Sequence, residues 1–152
     1  MKKTSQPLSP RLQYGASLIE VLVAVLIMGV GLLGIAAMQS TALRNSQSSL
    51  ERSQAVIQTY AILDAMRANR AAAIAGAYDM ERTCDAPTGA SLVDYDRREW
   101  INSMEAAMGD AACGTINCPA GGTCTITVDW DDSRGTAISG ATTRSVTTTT
   151  LL

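Results

Sequence analysis

The stretch Gly15-Ala-Ser-Leu-Ile-Glu20, running into Val21-Leu-Val-Ala-Val-Leu-Ile-Met-Gly-Val-Gly-Leu-Leu-Gly-Ile-Ala-Ala-Met38, decides how the chain is read. Val21 to Met38 is eighteen residues without a charge. With Ala16 to Ile19 the run reaches 23 residues, broken only by Ser17 and Glu20. A helix of about 20 apolar residues crosses a bilayer, so the run predicts a transmembrane helix that begins abruptly after Gly15. Glu20 is the anomaly. A charge in the bilayer centre costs about 2.5–3.5 kcal/mol even on lenient scales, so intramembrane carboxylates are rare and tend to be functional. A secretory signal fits badly. Its apolar core is about 7–15 residues and its small-residue cleavage site follows that core; here the small residue, Gly15, precedes it.

Charge is asymmetric around this stretch. Residues 1–15 (MKKTSQPLSPRLQYG) hold Lys2, Lys3 and Arg11 and no acid, with Pro7 and Pro10 arguing against regular structure. A basic leader before an apolar run keeps that end cytoplasmic. The remainder holds nine arginines against fourteen acids and no lysine, hence a formal charge of −5. Such an acidic body argues against a nucleic-acid partner, which needs clustered Lys or Arg.

Beyond Met38 the sequence stays helical but becomes amphipathic. Residues 39–75 contain no Gly or Pro. Leu43, Leu50 and Ile57 repeat every seven, and Val56, Tyr60, Leu63 and Met66 follow at i, i+4, i+7 and i+10. Either spacing lines one helix face. One long helix is therefore expected from about Ala16 to about Ala75, stopping near Gly76, with an apolar stripe of its second half packed on a globular domain.

Residues 79–96, with Pro87 and Gly89, read as loop. A short second helix over 97–108 is expected, with Asp96 as N-cap and Trp100, Met104 and Met108 on one face. The Gly-, Ala- and Cys-rich stretch 109–122 reads as another loop. Cys124, Ile126, Val128 and Trp130 alternate with Thr125, Thr127 and Asp129, the period of a half-buried strand. Residues 131–135 (Asp-Asp-Ser-Arg-Gly) read as a turn. The threonine-rich 142–150 is either the returning strand or a frayed tail.

The sequence has no histidine, which removes the commonest general acid/base and the commonest metal ligand. No cofactor and no metal site is expected. Asp129, Asp131 and Asp132 lack the spacing of an EF-hand loop and read as a solvated turn. Cys84, Cys113, Cys118 and Cys124 form an even set without a Cys-x-x-Cys, which favours disulfides over zinc. Of three possible pairings, Cys113–Cys118 with Cys84–Cys124 is the one taken here. Gly29, Gly31 and Gly34 either permit close helix packing or loosen the helix.

Residues 15–38 resemble the N-terminal signature of type IV pilins and pseudopilins: Gly, then a residue that is usually aromatic or Met, Ser/Thr, Leu, Ile/Leu, Glu, then an apolar helix. Ala16 stands where Phe is usual. The resemblance implies that prepilin peptidase cuts between Gly15 and Ala16 and methylates the new terminus, and that Glu20 docks the subunit during assembly. Cleavage leaves a positive amine at Ala16, and a carboxylate paired with such an amine recovers much of its burial cost.

Asp64-Ala-Met-Arg-Ala-Asn-Arg70, Gly76-Ala-Tyr78, Gly31-Leu-Leu-Gly34 before Met38-Gln39, and Ile126-Thr-Val128-Asp-Trp130-Asp-Asp132 are similar to the minor pilins of the type IV pilus modification (PilV) family. That resemblance implies an α+β fold, with a long N-terminal helix packed on a small antiparallel sheet. It divides the chain into a leader (1–15), a transmembrane and assembly helix (16–40) and a periplasmic globular domain (41–152). It further implies a non-enzymatic structural role in the complex that initiates pilus assembly. The implied partners are other minor pilins and the major pilin, prepilin peptidase, the inner-membrane assembly platform and the membrane itself. The expected location is the bacterial inner membrane, single-pass with the C-terminal domain in the periplasm, and then the pilus tip. A type II secretion minor pseudopilin shares the N-terminal block and is the first alternative; a generic membrane-anchored adhesion domain is the second.

Overall fold

The computed structural model describes residues 15–119, 122–135 and 142–152. The expected leader lies outside these residues apart from Gly15. The chain divides into two compact units, Met1–Ser40 and Thr41–Leu152.

Helix α1 runs from Leu18 to Ala68. It is followed after Asn69 by the short α2, Arg70–Ile74. The helical stretch thus starts two residues later than expected and breaks near its end. It stops where the sequence indicated, and the reason is local. Gly76 adopts φ 80°, its N–H bonds Ala73 O at 3.1 Å, and the Ala77 N–H bonds Ala72 O at 3.0 Å. This is the Schellman arrangement, which needs a residue free to enter the left-handed region.

Within the Thr41–Leu152 unit, strands β1 (Met80–Thr83), β2 (Cys113–Asn117), β3 (Thr123–Asp131) and β4 (Thr143–Leu151) form an antiparallel sheet in the order β1-β2-β3-β4. Helix α3 (Leu92–Met108) lies between β1 and β2 in sequence. The arrangement is α+β and pilin-like. β3 alternates as its sequence predicts, with Cys124, Ile126, Val128 and Trp130 all buried. β4 is the returning strand rather than a frayed tail, since every residue from Thr143 to Leu151 has a partner on β3. The core gathers Ala55, Ile62, Leu63 and Met66 of α1, Trp100, Ile101 and Met104 of α3, and the buried side of the sheet. Each large aliphatic side chain withdrawn from water there contributes about 1.5–3 kcal/mol.

Several expectations are corrected. The stretch 79–96 is not all loop, because it contains β1 and the start of α3. α3 begins five residues before 97, capped by Ser91 rather than Asp96. The Ser91 Oγ accepts from the Asp94 N–H at 3.1 Å and the Asp94 carboxylate accepts from the Ser91 N–H at 3.2 Å, a capping box. Asp96 instead accepts the buried Tyr78 hydroxyl. The stretch 109–122 contains β2.

The disulfides join Cys84 to Cys113 and Cys118 to Cys124, not the pairs expected. β2 explains why. Cys113 begins the strand and Cys118 follows its end, about 16 Å along extended chain, beyond the roughly 7 Å Cα limit of a disulfide. The Asn117↔Thr125 register of the β2–β3 hairpin sets Cys118 opposite Cys124 instead, with Cα atoms 4.1 Å apart.

The face of α1 that packs inward also differs from the one the apolar spacing picks. Glu51, Ala55, Gln58, Thr59, Ile62, Leu63 and Met66 are buried. Leu43, Leu50, Ile57 and Tyr60 are exposed at 72%, 59%, 55% and 55%. Of the second stripe, only Leu63 and Met66 reach the core.

Candidate functional site

Gly15, Ala16 and Ser17 precede α1 without regular structure, and the space around Gly15 is open. The Ser17 carbonyl accepts from the Glu20 N–H at 3.0 Å and the Val21 N–H at 3.2 Å. Ser17 therefore stands at the N-cap and Glu20 at the third helical position. Two consequences follow. Ala16 lies outside the helix, so helical rise does not set its separation from Glu20. Ser17-x-x-Glu20 has the spacing of a capping box, a signal that the sequence itself carries. A carboxylate in the first turn also faces the positive end of the helix dipole, worth about 0.3–1 kcal/mol. Gly15 and Ala16 thus precede the helix and Glu20 lies in its first turn, all three exposed at the start of α1.

Every side chain from Gly15 to Gln47 is exposed. From Leu18 to Met38 these are overwhelmingly large and apolar, and α1 is long and apolar enough to cross a membrane. Open space surrounds Gly29, Gly31 and Gly34. Within the Thr41–Leu152 unit, Leu43, Leu50 and Ile57 are exposed in line on the side of α1 away from the core, with polar residues between them.

Other candidate groups are occupied structurally. The three aspartates do not converge. Asp129 pairs with Arg82 at 3.0 Å, and Asp131 accepts from the Ser133 N–H and hydroxyl. Asp132 is 1% exposed, contrary to the expected solvated turn. It accepts the Ser48 hydroxyl at 2.9 Å and lies 3.5 Å from Arg144 Nε. Beside it Glu51, also buried, meets Arg134 at 3.9 Å. Burial, and next the neighbouring Asp132 charge, hold the Glu51 carboxyl above its ordinary range. This cluster ties α1 to the turn after β3. Among the described residues no group of three or more His, Cys, Asp or Glu is placed to hold a metal ion.

Residues 10–36 match the family model described as the prokaryotic N-terminal methylation motif. The chain carries a pilin-type methylation motif. The motif is typical of type IV pilins, and its match spans Gly15, Ala16, Glu20 and most of the apolar run. No curated protein and no solved structure matches the chain significantly. The motif and the long apolar helix that follows it fit membrane anchoring, as in precursors of the type IV pilin kind.

Proposed function

We propose that this chain is a minor pilin of the type IV pilus, cut by prepilin peptidase between Gly15 and Ala16, methylated at Ala16, and built into the complex that starts pilus assembly. The observation that carries it is the methylation motif heading a helix that, past its apolar run, still exposes Leu43, Leu50 and Ile57 in line at every second turn. A helix needed only as an anchor requires no apolar stripe beyond the bilayer. A helix that leaves lipid for contact with other subunits does, because both surroundings are then apolar and transfer exposes nothing to water.

Glu20 serves as the docking group, its carboxylate meeting the Ala16 amine of an adjoining subunit. In low dielectric such a pair offsets much of the cost of burying either charge, whereas a lone buried charge stays costly. The Thr41–Leu152 unit sits in the periplasm and the role is non-enzymatic. The partners are other minor pilins, the major pilin and the assembly platform of the inner membrane, and the final location is the pilus tip.

The test is to delete the chain in its own cell and count surface pili by electron microscopy. The account expects few or no pili, restored by the wild-type chain but not by Glu20→Val. Normal piliation without the chain, or lost protein secretion with intact pili, contradicts it.

A further inference from the structure

The two edges of the sheet are built differently. β1 is four residues long, carries Glu81 and Arg82, and shifts register against β2 between Met80 and Thr83. Shortness, charge and irregular pairing are devices that keep an edge from accepting foreign strands. β4 is nine residues long, with five threonines and a valine, no proline, no lysine, and Arg144 as its one charge. Its register with β3 is unbroken from Thr123↔Leu151 to Asp131↔Thr143.

Hydrogen bonds at both ends fix which backbone groups point where. The Asp132 N–H bonds Thr142 O at 2.7 Å, and the Leu152 N–H bonds Gly122 O at 2.9 Å. Bonded and non-bonded pairs alternate along an antiparallel ladder. Residues 144, 146, 148 and 150 therefore turn their N–H and C=O toward β3. Thr143, Ser145, Thr147, Thr149 and Leu151 turn theirs outward, and all five are exposed. The result is an edge of about 30 Å with an N–H and C=O at every second residue.

A cavity of about 350 Å³ opens where α1 passes the start of β4, lined by Ser48, Arg52, Trp130, Arg144 and Ser145. Its polar groups are two guanidinium groups, two hydroxyls and an indole. Arg52 forms no hydrogen bond or ion pair among the described residues. Trp130 Nε1 is buried and faces the Glu51 carboxylate, which benefits from it. Two arginines line the cavity beside the open strand edge; Arg144 already meets the buried Asp132 at 3.5 Å, which also accepts the Ser48 hydroxyl, so Arg52 is the cation left to a visiting carboxylate.

We propose that the outer edge of β4 takes an extended segment of another protein as a fifth strand, and that the arginine cavity at its start receives a carboxylate carried by that segment. Backbone pairing supplies the affinity in strand addition, and side-chain pockets supply the selectivity. Guanidinium groups hold carboxylates through paired hydrogen bonds, which fixes the register of the incoming strand. Antiparallel pairing, the more stable mode, places the carboxylate near the C-terminal end of the segment. The proposal stands on β4 and Arg52 alone and is independent of how the N-terminus is processed.

The test uses blocked, fluorescent nine-residue Thr/Val/Ser peptides bound to the full chain in detergent micelles, read by anisotropy. One peptide has Asp near its C-terminal end, one has Asn there, and one has Asp near its N-terminal end. The C-terminal Asp peptide should bind about two- to fivefold more tightly than the other two, the range of a partly exposed ion pair. Arg52→Glu, at an exposed position, should reverse that preference. Thr147→Pro removes one outward N–H and leaves the backbone bonds to β3 intact, losing on that side only the exposed hydroxyl contact to Thr127 at 3.1 Å, so it should weaken all three peptides by up to roughly tenfold. Equal binding of the three peptides, no binding of any, or indifference to both substitutions overturns the proposal. So does a concentration-dependent dimer of the chain that Thr147→Pro disperses while no peptide binds, which would assign the edge to a second copy.

Discussion

Gly114→Ala probes the contact between β2 and α3, because the strand there approaches the helix too closely for any side chain. A Cβ at Gly114 would lie 2.5 Å from Trp100 Cη2 and Cζ3 and 3.0 Å from Met104 Cε. Carbon atoms prefer about 3.5–4.0 Å, so the indole would have to retreat by about 1 Å. It has little room to do so. Trp100 is 3% exposed and its Nε1 donates to Gln58 O at 2.9 Å, while Met104 is fully buried. Overpacking a well-filled core costs about 1–3 kcal/mol, and a clash with two rigid ring carbons belongs at the upper end, about 2–3 kcal/mol. At about 4–8 °C per kcal/mol for a small domain, Tm should fall by roughly 10 °C. The assay is thermal unfolding of the full chain in detergent, followed by near-UV circular dichroism of its two tryptophans, since an apolar helix in a micelle keeps its far-UV signal. Trp100→Phe removes the outer ring atoms. The double variant should therefore lose less than the sum of the singles by about 1 kcal/mol or more. A Tm within about 2 °C of wild type, or strict additivity, would refute the placement of Trp100 against β2.

Glu51 gives a pH prediction. Its folded carboxyl is held above the ordinary value of 4.5 by burial and by Asp132, so the folded chain binds this proton more tightly than the unfolded chain. The stability it contributes is fully present below that unfolded value and is lost as pH rises through the folded one. Glu51→Gln should thus raise Tm at pH 7 and change it little at pH 4, which a pair of melting curves checks. The two disulfides should differ in weight. By loop-closure entropy the Cys84–Cys113 bridge, separation 29, is worth about 3.5 kcal/mol and the Cys118–Cys124 bridge, separation 6, about 2 kcal/mol. Double serine replacement at the first pair should accordingly lower the denaturation midpoint more than at the second. Ser91→Ala removes the cap of α3 and should cost about 1 kcal/mol in urea unfolding.

The parts legible in the sequence were those fixed by local chemistry. The uninterrupted apolar run of α1, the stop at Gly76 and the alternation of β3 each follow from side-chain period or backbone freedom at one place. What escaped depended on distant partners. The seven-residue repeat of Leu43, Leu50 and Ile57 identifies an apolar face, yet periodicity does not say what covers it. The domain packs against the opposite side, where small Ala55 and Thr59 permit close approach, and leaves the repeat exposed. β2 reads as loop because Gly114 is glycine for the sake of Trp100, a residue on another element. The expected Cys113–Cys118 pairing fails for the same reason, since the strand between the two cysteines holds them apart. At the N-terminus, Gly15, Ala16 and Glu20 were legible as a motif, while the capping relation of Ser17 to Glu20 became apparent only from where α1 begins.

The most direct test of the central claim is mass spectrometry of the mature N-terminus isolated from native membranes. The account predicts a peptide that begins at Ala16 and carries one added methyl group on its amine. A chain that still begins at Met1, or one cut beyond Met38, would contradict it and would leave Glu20 without the amine it is proposed to meet.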